Sequence, residues 1–312
     1  MITTLLFYPD NSPRWRYFAL WYFTTLLVIW NILGHTVLRF EQSHAQTLAG
    51  LATAISVQIL LEWVDARAHR RPVRFGGGWK NFVNFLPPAI IPGLAVPMLL
   101  ASSDLLWPVV FATTLAIASK VLIRVPVGNG RWQHLFNPSN FGLAVTFLLF
   151  PWITVAPGYH FTGNVTGWGN FLVPAVILLS GIVVHALFTG RLPLVLAWLV
   201  GFVVQAAVRI WVFDMPLLLP FMPFTSAAII VFTLYMIPDP ATTPLRTVDQ
   251  ILFGFAVAVA FGILIVSHVV YTLFYALLVV SLGRGLILWS RSAWSAYAAR
   301  HTQPEPAVAE VA

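Results

Sequence analysis

Apolar residues in this chain come in long blocks. Runs close to the ~20 residues that cross a bilayer recur at 17–37, 45–64, 84–101, 105–125, 139–156, 169–189, 192–212, 217–237, 249–267 and 269–290. Lipid offers backbone groups no hydrogen-bond partner, so such blocks predict helices. A β-barrel would require alternation at every second position, and the sequence has none. The stretch 249–290 is too long for one crossing, and Ser267-His268 is where it turns. The pattern predicts an all-α, polytopic membrane protein of about ten transmembrane helices, forming one integral domain over residues 1–300.

Composition agrees with the pattern. Hydrophobic residues make up 59% and charged residues 9%, against about 25% charged in a soluble domain, and the mean hydropathy is +0.84. The absence of cysteine excludes disulfides, thiolate-held iron–sulfur clusters and Cys nucleophiles.

The net charge of +7 is explained by topology, with no nucleic-acid partner. With the N-terminus in the cytoplasm and the spans alternating, every Lys and Arg except Arg39 and Arg209 falls on an inner segment, as the positive-inside bias requires. The expected location is the bacterial inner membrane, multi-pass, with both termini cytoplasmic and the lipid bilayer as partner. The opening MITTLLFYPDNSP has no basic leader or small-residue cleavage site, so the first span is expected to be retained. The closing HTQPEPAVAEVA (301–312) reads as a disordered cytoplasmic tail. The basic loop RAHRRPVRFGGGWK (67–80) suits the headgroup layer.

Two segments break the apolar pattern in related ways. HLFNPSNFGLAV (134–145) and LYMIPDPATTPLR (234–246) each set an amide or acid before a proline, as Asn137-Pro138 and Asp239-Pro240, followed by small polar residues such as Asn140 and Thr242. The prolines are 102 residues apart and both fall on the inner side. A residue before proline is pushed out of helical geometry, and broken helices in corresponding places often border a transporter's site. Asn137 and Asn140 read equally as helix caps or as ligand donors and acceptors. A third breaker, NFLPPAIIPGLAVP (84–97), packs four prolines into one span, so neighbours or a ligand must satisfy the carbonyls they free.

At these residues the chain resembles a known family. FNPSNFGLAVTFLLFP, MIPDPATTP, FLPPAIIPGLAVP and GRLPLVLAWLVG are similar, in that family's order, to segments of the NqrB/RnfD family. Its members are membrane proteins of the sodium-pumping NADH:quinone reductase and of the Rnf electron-transport complex. The resemblance covers roughly residues 80–265. It implies a ten-helix bundle of two related five-helix halves, here about 17–156 and 169–290. It also implies flavin- or quinone-linked electron transfer or ion translocation beside other membrane redox-complex subunits. A group of that kind is expected between the halves where the two breaks fall, at Asn137, Pro138, Asn140, Asp239, Pro240 and Thr242.

In many members FMN is esterified to a loop threonine. Thr166, in PGYHFTGNVTGWGN (157–170), falls at that position, but the acidic and Ser-Gly-Ala residues of the attachment motif are absent. The expected cofactor is therefore FMN or riboflavin held non-covalently. The chain looks like a shortened, stand-alone relative of the sort associated with enediyne-type natural-product biosynthesis. The alternative is a carrier for a small solute or flavin-like molecule without redox activity.

Other candidates carry less. Glu62 and Asp65, with Gln58 a turn earlier, are proton- or ion-site candidates, though pairing with the adjacent basic loop is the simpler account. Lys120 and Arg124 read as snorkelling to the interface. His35, His185 and His268 lie near span ends without the facing geometry of a haem pair. No HExxH, phosphate-binding glycine loop or GxSxG elbow occurs, so no enzyme motif and no metal site is assigned. Trp15, Trp63, Trp107, Trp152, Trp168, Trp211 and Trp289 read as interfacial belts.

Overall fold

A computed structural model describes residues 13–301 apart from 104, 129, 158 and 159. The retained-leader expectation and the disordered-tail expectation beyond His301, which ends a helix, lie outside the described residues. The described residues are 72% helix and 4% strand. Its helices are α1 (Pro13–Thr36), α2 (His44–Ala68), α3 (Trp79–Phe85), α4 (Pro87–Leu99), α5 (Trp107–Leu122), α6 (Pro138–Leu149), α7 (Gly169–Val183), α8 (Leu192–Val212), α9 (Ala227–Val231), α10 (Thr247–Val266) and α11 (Thr272–His301). Two antiparallel pairs complete it: β1 (Leu100–Ala101) with β4 (Thr154–Val155), and β2 (Arg124–Pro126) with β3 (Trp132–His134).

The count of ten spans is not reproduced among the described residues. Seven helices are long and apolar enough to cross a membrane, α3 being counted together with α4, and α7 together with the π-helical turns Val184–Thr189 that continue it. An eighth crossing follows if the 3-10 helix Leu219–Thr225 and the helix Ala227–Met236, bent by 79°, are taken as one broken span. The remaining two apolar segments fold as helices of 16 and 12 residues, α5 and α6, shorter than a full crossing. The cause is local. α5 ends before the β2–β3 hairpin, and α6 begins only at Pro138 and stops at Phe150, where the chain turns into β4.

The helices turn large apolar side chains outward, among them Leu48, Val64, Leu148, Leu196 and Ile263, as lipid contact requires. Trp63, Trp107, Trp152, Trp168 and Trp211 are exposed, whereas Trp289 donates to the Arg124 carbonyl at 3.0 Å. The turn between α10 and α11 lies at Ser267–His268 as the sequence predicts, with His268 in the left-handed region at φ 56°.

The core centres on Trp198, Phe202, Phe232 and Phe261, whose rings meet edge to face or tilted, with the Trp198 indole donating to Thr233 Oγ1 at 2.9 Å. α6 lies against α5 because Gly142 has no side chain: a Cβ there would stand 2.2 Å from the Ala112 carbonyl oxygen.

Candidate functional site

A proline cannot donate the i→i−4 bond, so each one inside or just after a helix leaves the carbonyl four residues earlier without its usual partner. Three such carbonyls, and one at a helix end, locate the site. Pro92 frees the Pro88 carbonyl, and Lys120 Nζ donates to it at 2.6 Å. Pro97 frees that of Gly93, and α2 packs directly onto it through Gly50, where a Cβ would come within 2.6 Å of the oxygen. Pro238 frees Leu234, which lies 2.6 Å from His185 Nε2. Met236 ends its helix, so its carbonyl also lacks a partner within it, and Asn137 Nδ2 donates to it at 3.3 Å.

The three side chains that hydrogen-bond these carbonyls, Lys120, His185 and Asn137, line a single cavity of about 530 Å³, within the ~300–1,000 Å³ usual for small-molecule sites. It borders both sequence breaks, through Pro138 and Pro240. One end is polar, with Lys120, Arg131, Gln133, His134, Asp239 and Arg191. From there it runs between α1 and α4, past Phe23 and Ile91 to Trp30 and Met98. Ala19 to Trp30 along α1 is 11 steps, about 16 Å at 1.5 Å per residue. Phe23 and Tyr235 stack in its wall, with ring centroids 5.6 Å apart at 16°.

Asn137 is the junction of the two breaks. Its Oδ1 accepts from the Asn140 backbone N–H at 3.0 Å, capping α6, while its Nδ2 reaches both the Met236 carbonyl and Asp239 Oδ2 at 3.3 Å. Both halves of the cap-or-contact alternative therefore hold for this residue. Asp239 Oδ1 accepts from the Ala241 N–H at 2.9 Å, and its carbonyl accepts from the Thr243 hydroxyl at 2.6 Å. Arg191 donates to Thr243 Oγ1 at 2.9 Å and to the Pro240 carbonyl at 3.3 Å.

The other sequence candidates lie elsewhere. Asn140 is buried and faces α11, donating to the Phe274 carbonyl at 3.1 Å. Thr242 is buried beside the break, bonds back to the Asp239 carbonyl, and offers its own carbonyl to Arg284 at 2.9 Å. Neither borders the cavity. Thr166 is exposed on the loop before α7, and the 21 residues from Gly169 to Thr189 put it about 30 Å from the cavity's polar end.

Sequence reasoning missed Lys120 as a lining residue. It points into the bundle, bonded to Pro88 and to Gln58 Oε1 at 3.2 Å, and does not snorkel to the interface. Gln133, His134 and Arg191 were also missed. The sequence did hold a signal for Lys120, since the carbonyls of the four-proline helix needed a donor. For Gln133 and His134 there was none, because the β2–β3 hairpin reads as part of a span and loop. Burial holds the His134 imidazole below its usual pKa, with Asp239 opposing and Lys120 and Arg124 adding to the effect.

Glu62 and Asp65 pair with the basic loop, as the simpler account has it. Arg71 Nη1 lies 2.5 Å from Glu62 Oε1, its Nη2 also bonds Asp65, and the Arg74 backbone N–H donates to Glu62 at 2.8 Å. His185 places Nδ1 2.8 Å from Thr189 Oγ1 and Nε2 2.6 Å from the Leu234 carbonyl. Since a carbonyl can only accept, Nε2 carries the proton. Among the described residues no group of three or more His, Asp or Glu is placed to hold a metal ion. No protein-family model matches the chain, and comparison with curated proteins finds no match.

Proposed function

We propose that the chain is an integral inner-membrane redox protein. In this reading it holds a flavin- or quinone-type group non-covalently in the cavity and serves electron transfer or ion translocation beside partner subunits. The observation that carries the reading is that the two proline breaks, at Pro138 and Pro240, border one cavity. Its polar end offers Asn137, Gln133 and His134 to a ring's heteroatoms, and its wall offers the stacked Phe23 and Tyr235. The resemblance to the quinone-reductase and Rnf membrane proteins supplies the chemistry; the cavity supplies a place for it. Asn137, Pro138, Asp239 and Pro240 remain in the proposed site, whereas Asn140 and Thr242 act behind it as braces. Covalent attachment at Thr166 is not part of the proposal.

One observation favours the second reading, a carrier. The links from the first break and its preceding Gln133 to the second are few and go mostly from side chains to carbonyls, from Asn137 to Met236 and from Gln133 to Pro240. Bonds of that kind can be exchanged during alternating access. The absorption spectrum of detergent-purified protein, taken before and after denaturation, separates the two. A flavin or quinone spectrum that changes on reduction and leaves with the small-molecule fraction on denaturation is expected. Colourless protein from flavin-replete cells, with no quinone in its organic extract, would favour the carrier.

A further inference from the structure

The charges at the polar end of the cavity are not balanced. Among the described residues, Lys120, Arg131 and Arg191 line it against the single carboxylate of Asp239. Asp239 already accepts from Asn137 and from the Ala241 N–H. The hydrogen bonds of Lys120 go to neutral acceptors, the Pro88 carbonyl and Gln58 Oε1, and neither Lys120 nor Arg131 forms an ion pair among the described residues. Repairing the Pro88 carbonyl needs a donor but not a charge, and a glutamine would serve. Lys120 is half-buried and feels the charge of Asp239, but that one carboxylate is shared among three lining cations, so the excess of positive charge points to an anion that belongs in the cavity. His134 borders the same space, and among the described residues no hydrogen bond engages its side chain.

Beyond this end the chemistry changes. Tyr235 donates to the Ile177 carbonyl and pairs with Ser180, and both nitrogens of His185 are engaged. Both side chains thus spend their polar atoms on the protein. What remains between α1 and α4 is almost all carbon, from Leu27, Pro92, Ala95, Met98 and the Trp30 ring, whose buried indole N–H is the one unpartnered polar atom among them. A ligand filling this length must be apolar there and charged at one end.

We propose that the cavity takes an anionic amphiphile, with a phosphate or carboxylate head at Lys120, Arg131 and His134 and an apolar body between α1 and α4. This rests on the cavity being the ligand site but not on redox chemistry. Among redox ligands it favours one bearing an anionic group over a neutral quinone.

The test uses the full chain in phosphatidylcholine nanodiscs, with binding followed by intrinsic tryptophan fluorescence, since Trp30 and Trp132 line the cavity. Dodecyl phosphate, dodecanol and inorganic phosphate are the probes. Dodecyl phosphate should bind about tenfold or more tighter than dodecanol, the worth of a hydrogen bond to a charged group. Lys120→Gln, which keeps a donor for Pro88, and Arg131→Gln should each remove most of that preference and leave dodecanol unchanged. Arg131 is exposed on the hairpin, so its variant still reads the site if Lys120→Gln fails to fold.

Equal binding of dodecyl phosphate and dodecanol, or a preference untouched by Arg131→Gln, would overturn the proposal. Inorganic phosphate binding as tightly as dodecyl phosphate would overturn the amphiphile. Displacement of dodecyl phosphate by FMN but not by riboflavin would assign the anion to a soluble cofactor; failure of both to displace it would assign it to a membrane lipid. Colourless protein that still shows the phosphate preference would refute the redox reading and leave this one standing.

Discussion

Asn137→Ala is expected to destabilise the folded protein by about 2–4 kcal/mol, because one side chain performs two separate repairs. The first is the cap on α6 through the Asn140 N–H, a kind of contact worth about 1 kcal/mol. The second is the donation to the Met236 carbonyl and to Asp239. That carbonyl stands at the end of its helix and has no helical partner, and Asn137 is buried. The carbonyl would be left unsatisfied, at a cost of about 1–3 kcal/mol. Asn137→Ser should recover only the cap. Asn137→Asp keeps the cap but loses the amide donor and sets a second carboxylate beside Asp239, so it should fall below the serine variant. Thermal unfolding in detergent orders the three, and equal melting temperatures for Ala and Ser would show that the cap contributes nothing.

Glu62→Ala should cost about 2–3 kcal/mol, from loss of hydrogen bonds to charged and backbone donors around a buried carboxylate. Glu62 is only 7% exposed and accepts from both Arg71 terminal nitrogens and from the Arg74 N–H. Arg71 is 28% exposed and keeps Asp65 and the Pro72 carbonyl, so water and a second carboxylate soften its loss. Asp65→Ala, at a position 35% exposed, should cost about 1 kcal/mol or less, as half-exposed pairs do. Denaturation monitored by tryptophan fluorescence distinguishes them. An Asp65 variant as unstable as the Glu62 variant would mean that Arg71, rather than the buried carboxylate, is the centre of this network.

The helical architecture was legible because lipid leaves the backbone few choices: blocks of apolar residues near bilayer length became helices, and Ser267-His268 became their turn. The number of crossings was not legible. Apolar length alone cannot show that α6 waits for Pro138 or that β2 and β3 take the residues after Lys120. Sequence symmetry brought Asn137 and Asp239 together, and they do meet. It could not tell which way each neighbour faces. Asn140 is three residues on from Asn137, nearly a full turn of helix, yet it turns to Phe274. Thr242 closes a turn on Asp239. Lys120 departs from expectation because a long cation near a helix end usually reaches for water, whereas here a proline in another helix exposes a carbonyl for it. Counting the carbonyls that prolines free would have pointed to Lys120 and His185 together.

Everything proposed for this protein depends on ligand occupying the space between α1 and α4 behind Asn137. The chain has no cysteine, so one introduced at Ala95, in the cavity wall, is a unique probe. Its alkylation rate by a small maleimide is measured with and without dodecyl phosphate, beside a control at the outward-facing Leu148. Ligand in the cavity should slow Ala95→Cys strongly and leave Leu148→Cys unchanged. Equal rates at Ala95→Cys with and without ligand, or equal slowing at both positions, would contradict it.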